Sequence, residues 1–86
     1  APDRRGSYRS KRLSSLPRVS GRDLVRAFEK RGYRFDRQNG SHIILRTSVP
    51  PFRRLVIPDH REIAKGTLRA IVRQAGITVD ELVALL

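Results

Sequence analysis

Two histidines and a few carboxylates are the side chains of this sequence that could take part in acid–base catalysis. His42 directly follows Gly40 and Ser41, and His60 follows Asp59. An imidazole titrates near neutral pH, so it can act there as a general base or a general acid. The chain has no cysteine, which excludes a thiol nucleophile, a thiolate zinc site and disulfide bonds. A lone histidine is a weak signal, so spacing alone favours an ordinary surface histidine over a catalytic one.

The acidic residues do not follow a metal-binding pattern. Asp23, Asp80 and Glu81 fall in the first turns of predicted helices, where a carboxylate stabilises the helix. Asp59 and His60 could be metal ligands or a second acid–base group, but the spacing favours residues of a turn. A two-metal nuclease would also need clustered carboxylates, which are missing from the sequence. We therefore predict no metal site and no cofactor.

The chain is strongly basic. It carries 19 Lys and Arg residues against 8 Asp and Glu, a net charge of +11 over 86 residues. Such a charge attracts a polyanion: nucleic acid, an acidic protein or an anionic membrane surface. Residues 1–18 contain six of these basic residues, and their apolar residues do not recur at the spacing of a helix or a strand. We therefore predict that this segment is a disordered leader or tag. Residues 19–86, with 13 basic and 7 acidic residues, are predicted to form one small domain of net charge +6.

Apolar periodicity predicts three helices. Ser20 and Thr78 each stand three residues before an acid, which is the spacing of a capping box and marks the starts of the first and third helices. Gly32 is predicted to end the first helix, and the second helix begins within 65–67 and ends at Gly76. The side chains predicted to be buried are Leu24, Val25 and Phe28, then Leu68, Ile71, Val72 and Ala75, then Val79, Leu82, Val83 and Leu86.

Three strands are predicted between the first two helices. Alternating residues predict strands over 33–37, 41–47 and 53–57, with Asn39-Gly40 as the hairpin turn between the first two. Tyr33 and Phe35 are predicted to lie in the core. In the second and third strands, the predicted core side chains are Ile43, Leu45, Leu55 and Ile57, and the predicted outward ones are His42, Ile44, Arg46, Arg54 and Val56. Ile44 and Val56 would then form a small exposed apolar patch.

The predicted order is therefore α-β-β-β-α-α, an α+β fold in which helices cover one face of an antiparallel sheet. This is the arrangement of the double-stranded-RNA-binding domain with a short extra C-terminal helix. The basic side chains that could contact RNA phosphates are Arg37, Arg46 and Arg54 on the sheet and Lys65, Arg69 and Arg73 on the second helix. Each of these is also a normal solvated residue when taken singly. Within residues 19–86, Phe52 is the aromatic residue outside the predicted core that could stack on a base.

Four segments of the chain resemble, in order, the HicA family of toxins from bacterial and archaeal toxin–antitoxin pairs. These segments are Ser20-Gly21-Arg22-Asp23-Leu24, Gly40-Ser41-His42, Val56-Ile57-Pro58-Asp59-His60, and Lys65-Gly66-Thr67-Leu68 continued by Gln74-Ala75-Gly76. Two positions depart from the family pattern. Ile43 stands where many members carry a second histidine, and the segment 48–54, with its Pro-Pro and two arginines, replaces the usual glycine-containing turn.

The resemblance implies an mRNA interferase, a metal-independent endoribonuclease. His42 would be its general acid/base, and Gly40 and Ser41 would form the turn that presents it. The resemblance also implies a HicB-type antitoxin partner that shields His42. Two alternatives remain open: a non-catalytic RNA-binding module of the same fold, and a protein-binding domain for an acidic partner. With no membrane span and no signal peptide in the sequence, we expect a cytoplasmic protein that does not associate with membranes.

Overall fold

The computed structural model describes residues 16–86. Its elements, in chain order, are α1 (Gly21–Lys30), β1 (Tyr33–Asn39), β2 (His42–Thr47), β3 (Arg54–Pro58), α2 (Lys65–Ala75) and α3 (Val79–Leu85). The predicted α+β fold, with a three-stranded antiparallel sheet and an extra C-terminal helix, is confirmed. None of the described helices is long and apolar enough to cross a membrane.

The predicted leader of residues 1–18 lies outside the described residues except for its last three. Of those three, Leu16 is buried and belongs to the hydrophobic core, together with Val19. The chain ahead of α1 is also tied to the connector between β3 and α2, because the Ile63 N–H donates to the Val19 carbonyl at 2.8 Å. Packing against the core thus begins ahead of residue 19.

Capping boxes begin α1 and α3, as predicted. The Ser20 hydroxyl accepts a hydrogen bond from the Asp23 N–H at 3.0 Å, and the Asp23 carboxylate accepts one from the Ser20 N–H at 3.1 Å. Thr78 and Glu81 repeat the arrangement at 3.0 and 2.8 Å. Hydrogen bonds from the cap N–H groups stabilise the ionised carboxylates and hold the pKa of Asp23 and of Glu81 below the usual values. Both helix starts are therefore encoded in four-residue windows.

β2 is the central strand of the sheet and supplies much of the core. Ile43 pairs with Ile57 and Leu45 with Leu55, and all four side chains are buried against the helices, as predicted. The predicted stripe of α2 is also buried: Leu68, Ile71, Val72 and Ala75. α1 contributes Leu24, Ala27 and Phe28. The helices therefore lie on one face of the sheet and leave the other face open.

The prediction that Phe35 lies in the core is wrong, although Tyr33 is buried there edge-to-face with Phe28, at a ring separation of 5.3 Å. Phe35 pairs with Leu45 and so faces the helix side, yet it is 55% exposed. β1 is an edge strand, and the register shifts between Phe35 and Arg37 because Asp36 forms a β-bulge. At this edge the helix layer does not cover the ring.

Two other predictions of burial are corrected. In α3 the residues packed on the core are Val79, Leu82 and Leu85, whereas Val83 and Leu86 are exposed. Val83 lies about 100° around the helix from Leu82, and Leu86 follows the last helical residue. In the sheet, Ile44 is only 2% exposed, so the predicted apolar patch with Val56 does not form. Ile44 lies in the central strand and has a cross-strand neighbour on each side, Arg37 and Val56.

Candidate active site and nucleic-acid interface

His42 lies at one end of the sheet face that the helices leave uncovered, which we call the open face. The residues directed to this face are Arg34, Arg37, Asn39, His42, Ile44, Arg46, Arg54, Val56 and Pro58. His42 is the first residue of β2 and is exposed, opposite Asn39 on β1 and Pro58 on β3. Its predicted outward orientation is confirmed. The imidazole is therefore accessible to a large ligand such as a nucleic-acid strand.

A two-residue turn, Gly40-Ser41, presents His42. Asn39 is the last residue of β1 and pairs with His42, so the turn lies one residue later than the predicted Asn39-Gly40. Gly40 has a φ of +58°, and none of the non-glycine residues within 16–86 has a positive φ. A positive φ at the first turn position alone is typical of a type II′ hairpin turn, which requires glycine there. The backbone conformation, rather than lack of space, demands glycine at position 40, since a Cβ there would meet no atom within 4 Å.

Hydrogen bonds from Gln38 beside the turn and from the distant Asp59 brace this turn. The Asp59 N–H donates to the Ser41 carbonyl at 2.6 Å. The Gln38 side-chain amide donates to the Gly40 carbonyl at 3.0 Å and to the Asp59 carboxylate at 3.2 Å. Arg22, in the first turn of α1, forms an ion pair with the same carboxylate at 3.4 Å. Both carbonyls of the turn are thus occupied, and the start of β2 is held in place.

Sequence reasoning missed Gln38 and assigned Asp59 to an unspecified turn. Gln38 and Asp59 are 21 positions apart, and Arg22 is 37 positions from Asp59. No short motif links residues at such separations, so sequence alone carries no signal for this network. Antiparallel pairing brings β1 and the end of β3 to the same end of the sheet and so creates it.

The three predicted RNA-binding arginines of the sheet all face the open side, but at different distances from His42. Arg37 pairs with Ile44, which makes it a diagonal neighbour of His42, roughly 7–8 Å away between Cα atoms. Arg46 and Arg54 pair with each other four residues along the strands, about 13 Å from His42. Arg34 joins that row opposite Arg46. Arg37 is therefore the predicted cation nearest to the imidazole.

The Asp36 carboxylate partly neutralises the positive charge of the row formed by Arg34, Arg46 and Arg54. The Arg46 Nε donates to the Asp36 carboxylate at 2.9 Å. This bond, with the nearby charges of Arg37 and Arg54, holds the pKa of Asp36 below its usual value. Asp36 is in position because of the β-bulge. The row of Arg34, Arg46 and Arg54 thus keeps a positive excess even with Asp36 ionised.

The structure does not bring Lys65, Arg69 and Arg73 together with His42. They lie four residues apart along the exposed side of α2, and α2 packs on the opposite face of the sheet from the open face. The predicted RNA-binding residues therefore divide into two groups, three on the open face and three on the helix layer.

The second histidine, His60, helps to hold the fold together through its backbone carbonyl. The His60 carbonyl accepts a hydrogen bond from the Gly21 N–H at 2.9 Å, which joins the connector after β3 to the start of α1. Within residues 16–86, His, Asp and Glu side chains form no cluster of three or more that could hold a metal ion.

The fold and this site define a small basic α+β domain that presents one exposed imidazole at the end of an arginine-lined sheet face. The model of a family described as the HicA toxin of bacterial toxin–antitoxin systems matches residues 21–77, from the first residue of α1 to the residue before the α3 cap. Because the match covers well over half of the chain, the protein belongs to the HicA toxin family, as the sequence motifs predicted. A toxin of such a pair has an antitoxin as its partner. Comparisons with curated proteins and with solved structures find no match.

Proposed function

We propose that this toxin is an endoribonuclease that cleaves mRNA, with His42 as its general acid/base and without a metal ion or other cofactor. The observation that carries the proposal is the placement of His42. It is an exposed imidazole on a braced glycine turn, at the end of the open face and diagonal to Arg37. Family membership supports the toxin role.

The chemistry needs few groups because RNA contains its own nucleophile. Neutral His42 takes the proton of a ribose 2′-OH, and the oxygen attacks the adjacent phosphorus. The bond from phosphorus to the 5′ oxygen breaks, leaving a 2′,3′-cyclic phosphate on one product. The protonated imidazole of His42 then acts as the general acid and returns this proton to the departing 5′ oxygen. A guanidinium near the phosphorus, for which Arg37 is the closest candidate on the sheet, stabilises the charge of the pentacoordinate state.

Binding of the RNA strand is assigned to the basic residues on both sides of the sheet. Arg37, Arg46 and Arg54 follow the open face away from His42, and Lys65, Arg69 and Arg73 provide a second positive surface on α2. Phosphate contacts of this kind are independent of sequence and weaken steeply with salt. A HicB-type antitoxin would inhibit the enzyme by covering His42 and the open face.

The proposal is tested with purified toxin free of its antitoxin. We expect cleavage of an mRNA to persist in excess EDTA and to leave 2′,3′-cyclic phosphate ends, since the nucleophile is the 2′-OH. A DNA strand of the same sequence is the control and should remain intact. Loss of cleavage in EDTA would contradict the metal-independent mechanism. Salt-dependent RNA binding without any cleavage would favour a non-catalytic RNA-binding module, and negligible RNA affinity would favour a protein-binding domain.

Removing the brace of the turn should impair catalysis more than binding. In Gln38→Ala the Gly40 carbonyl loses its side-chain donor, so His42 is held less firmly. We expect kcat to fall by about 10- to 100-fold, as misplacement of a reacting group by 1 Å can cost 100-fold, while KM stays within about twofold. Steady-state cleavage assays give this split, and thermal unfolding shows whether the variant remains folded.

Gln74→Ala is the matched control for Gln38→Ala. Gln74 is an exposed glutamine whose backbone carbonyl, rather than its side chain, accepts a hydrogen bond from Arg53. Its replacement should leave kcat unchanged. A kcat for Gln38→Ala equal to that of the unmodified toxin would show that the side-chain hydrogen bonds of Gln38 do not position His42.

A further inference from the structure

We propose that Phe52 is a stacking platform for one base of a single-stranded RNA substrate, at the end of the open face opposite His42. Phe52 lies in the loop between β2 and β3 and is 71% exposed, the largest exposure among the large apolar side chains of the described chain. The inference rests on the proposed function and deepens it, because it assigns a contact to the RNA away from the cleaved bond.

The loop holds Phe52 in place from both sides while leaving its ring in solvent. The Thr47 hydroxyl donates to the Pro51 carbonyl at 3.2 Å and accepts from the Arg53 N–H at 2.8 Å. The Thr47 N–H donates to the Arg53 carbonyl at 3.0 Å. The Arg53 guanidinium in turn donates to the Gln74 carbonyl on α2 at 2.9 Å. An exposed aromatic ring whose flanking residues are anchored needs little further ordering when a ligand binds.

The chain that directly follows Phe52 is cationic, since the next two residues are Arg53 and Arg54. Arg54 lies in the row of Arg34, Arg46 and Arg54 on the open face. A nucleotide combines a flat aromatic base with an anionic phosphate, and it therefore matches an exposed ring beside guanidinium groups. An apolar protein surface matches this loop less well, since covering Phe52 would also bury or crowd these charges.

The spacing between Phe52 and His42 suits a strand that lies along the open face. β2 begins at His42 and ends at Thr47, where the loop starts, and five residues of strand span about 16 Å. The arginines of the open face lie between these two ends. RNA stacked on Phe52 would then be cleaved several nucleotides away, and the strand must be unpaired there because a base within a duplex hides its π face.

Binding is measured by fluorescence anisotropy with a labelled single-stranded RNA carrying 2′-O-methyl groups at every position, which cannot be cleaved through its 2′ oxygens. We expect Phe52→Ala to weaken binding by about 5- to 100-fold, the range found when a stacked base loses its aromatic partner. Phe52→Leu should weaken binding similarly because leucine has no π face. Phe52→Trp retains an aromatic ring and should bind the RNA with an affinity within about twofold of that of the unmodified toxin.

Two controls separate stacking from charge and from general loop effects. Val49→Ala alters another exposed apolar residue of the same loop, 64% exposed, and should change RNA affinity by less than about twofold. Heparin, a polyanion without bases, should bind equally to the unmodified toxin and to Phe52→Ala. Equal RNA binding by Phe52→Leu and the unmodified toxin would overturn the inference and indicate a general apolar contact, as for a protein partner.

The outcome is independent of catalysis. Failure of the unmodified toxin to bind the methylated RNA would overturn the stacking inference whatever the cleavage assay shows. Weakened binding by Phe52→Ala and Phe52→Leu, with rescue by Phe52→Trp, would support stacking even if the toxin cleaved no RNA. If the unmodified toxin cleaves RNA and Phe52→Ala binds RNA with unchanged affinity, the stacking inference is refuted while the proposed function stands.

Discussion

His42→Ala is expected to lower kcat/KM for mRNA by about 100- to 10,000-fold, the usual contribution of a general acid/base. The variant keeps the arginines of both surfaces, so its affinity for the 2′-O-methyl RNA should stay within about threefold. Its stability should also be close to that of the unmodified toxin. His42 is exposed, and its imidazole forms no hydrogen bond with the rest of residues 16–86.

His60→Ala is the matched control for the catalytic histidine. His60 is also exposed, and the hydrogen bond that it accepts from Gly21 uses its backbone carbonyl, which the substitution retains. We expect cleavage by His60→Ala to stay within about threefold of the unmodified toxin. Cleavage by purified His42→Ala at the unmodified rate would refute the catalytic assignment. In cells, induced expression should arrest growth for the unmodified toxin and for His60→Ala, and not for His42→Ala.

Gly21→Ala should lower the free energy of unfolding by about 3 kcal/mol, at the upper end of the usual cost of overpacking. A Cβ built on Gly21 would lie within 2.0 Å of the Pro58 carbonyl oxygen and 3.2 Å of the Asp59 Cα. These are backbone atoms, so no side-chain rotation can relieve the clash, and the start of α1 must separate from the end of β3. For a domain of this size, 3 kcal/mol corresponds to a fall of about 12–24 °C in Tm.

Gly66→Ala provides the comparison for this prediction. Gly66 lies in the first turn of α2, has no positive φ, and a Cβ there would meet no atom within 4 Å. Alanine should therefore be neutral or stabilise the fold by up to about 1 kcal/mol. Thermal and urea unfolding followed by circular dichroism measure both variants. Equal stability of Gly21→Ala and the unmodified toxin would show that the α1–β3 approach is not tight.

The clash at Gly21 also bears on the proposed active site. Displacement of Asp59 would disturb its hydrogen bond to the Ser41 carbonyl and its ion pair with Arg22, and both belong to the brace of the turn. Any Gly21→Ala protein that remains folded should therefore lose kcat as well as stability. A lower kcat per folded molecule would show that the Gly21 contact also positions the turn, because a reduction in the folded fraction does not change the rate of each folded molecule.

Sequence patterns located the helix starts and the buried face of the sheet because these depend on neighbours close in the chain. A capping box spans four residues, and strand alternation requires only a period of two. The same alternation placed His42 outward. It also placed Phe35 on the helix side and Ile44 on the open face. It did not predict that Phe35 is exposed and Ile44 buried, because exposure depends on whether a strand lies at the edge or in the centre of the sheet.

Residue types and their local spacing predict the α-β-β-β-α-α order, the family and the candidate chemistry of Gly40-Ser41-His42. The tertiary fold is needed to show which cations approach His42, and it separates the basic stripe of α2 from the open face. It also assembled Gln38, Asp59 and Arg22 into the brace of the turn. The difference lies in the range of the interactions. Caps and alternation act over a few residues, whereas these contacts join segments that only sheet pairing and helix packing bring together.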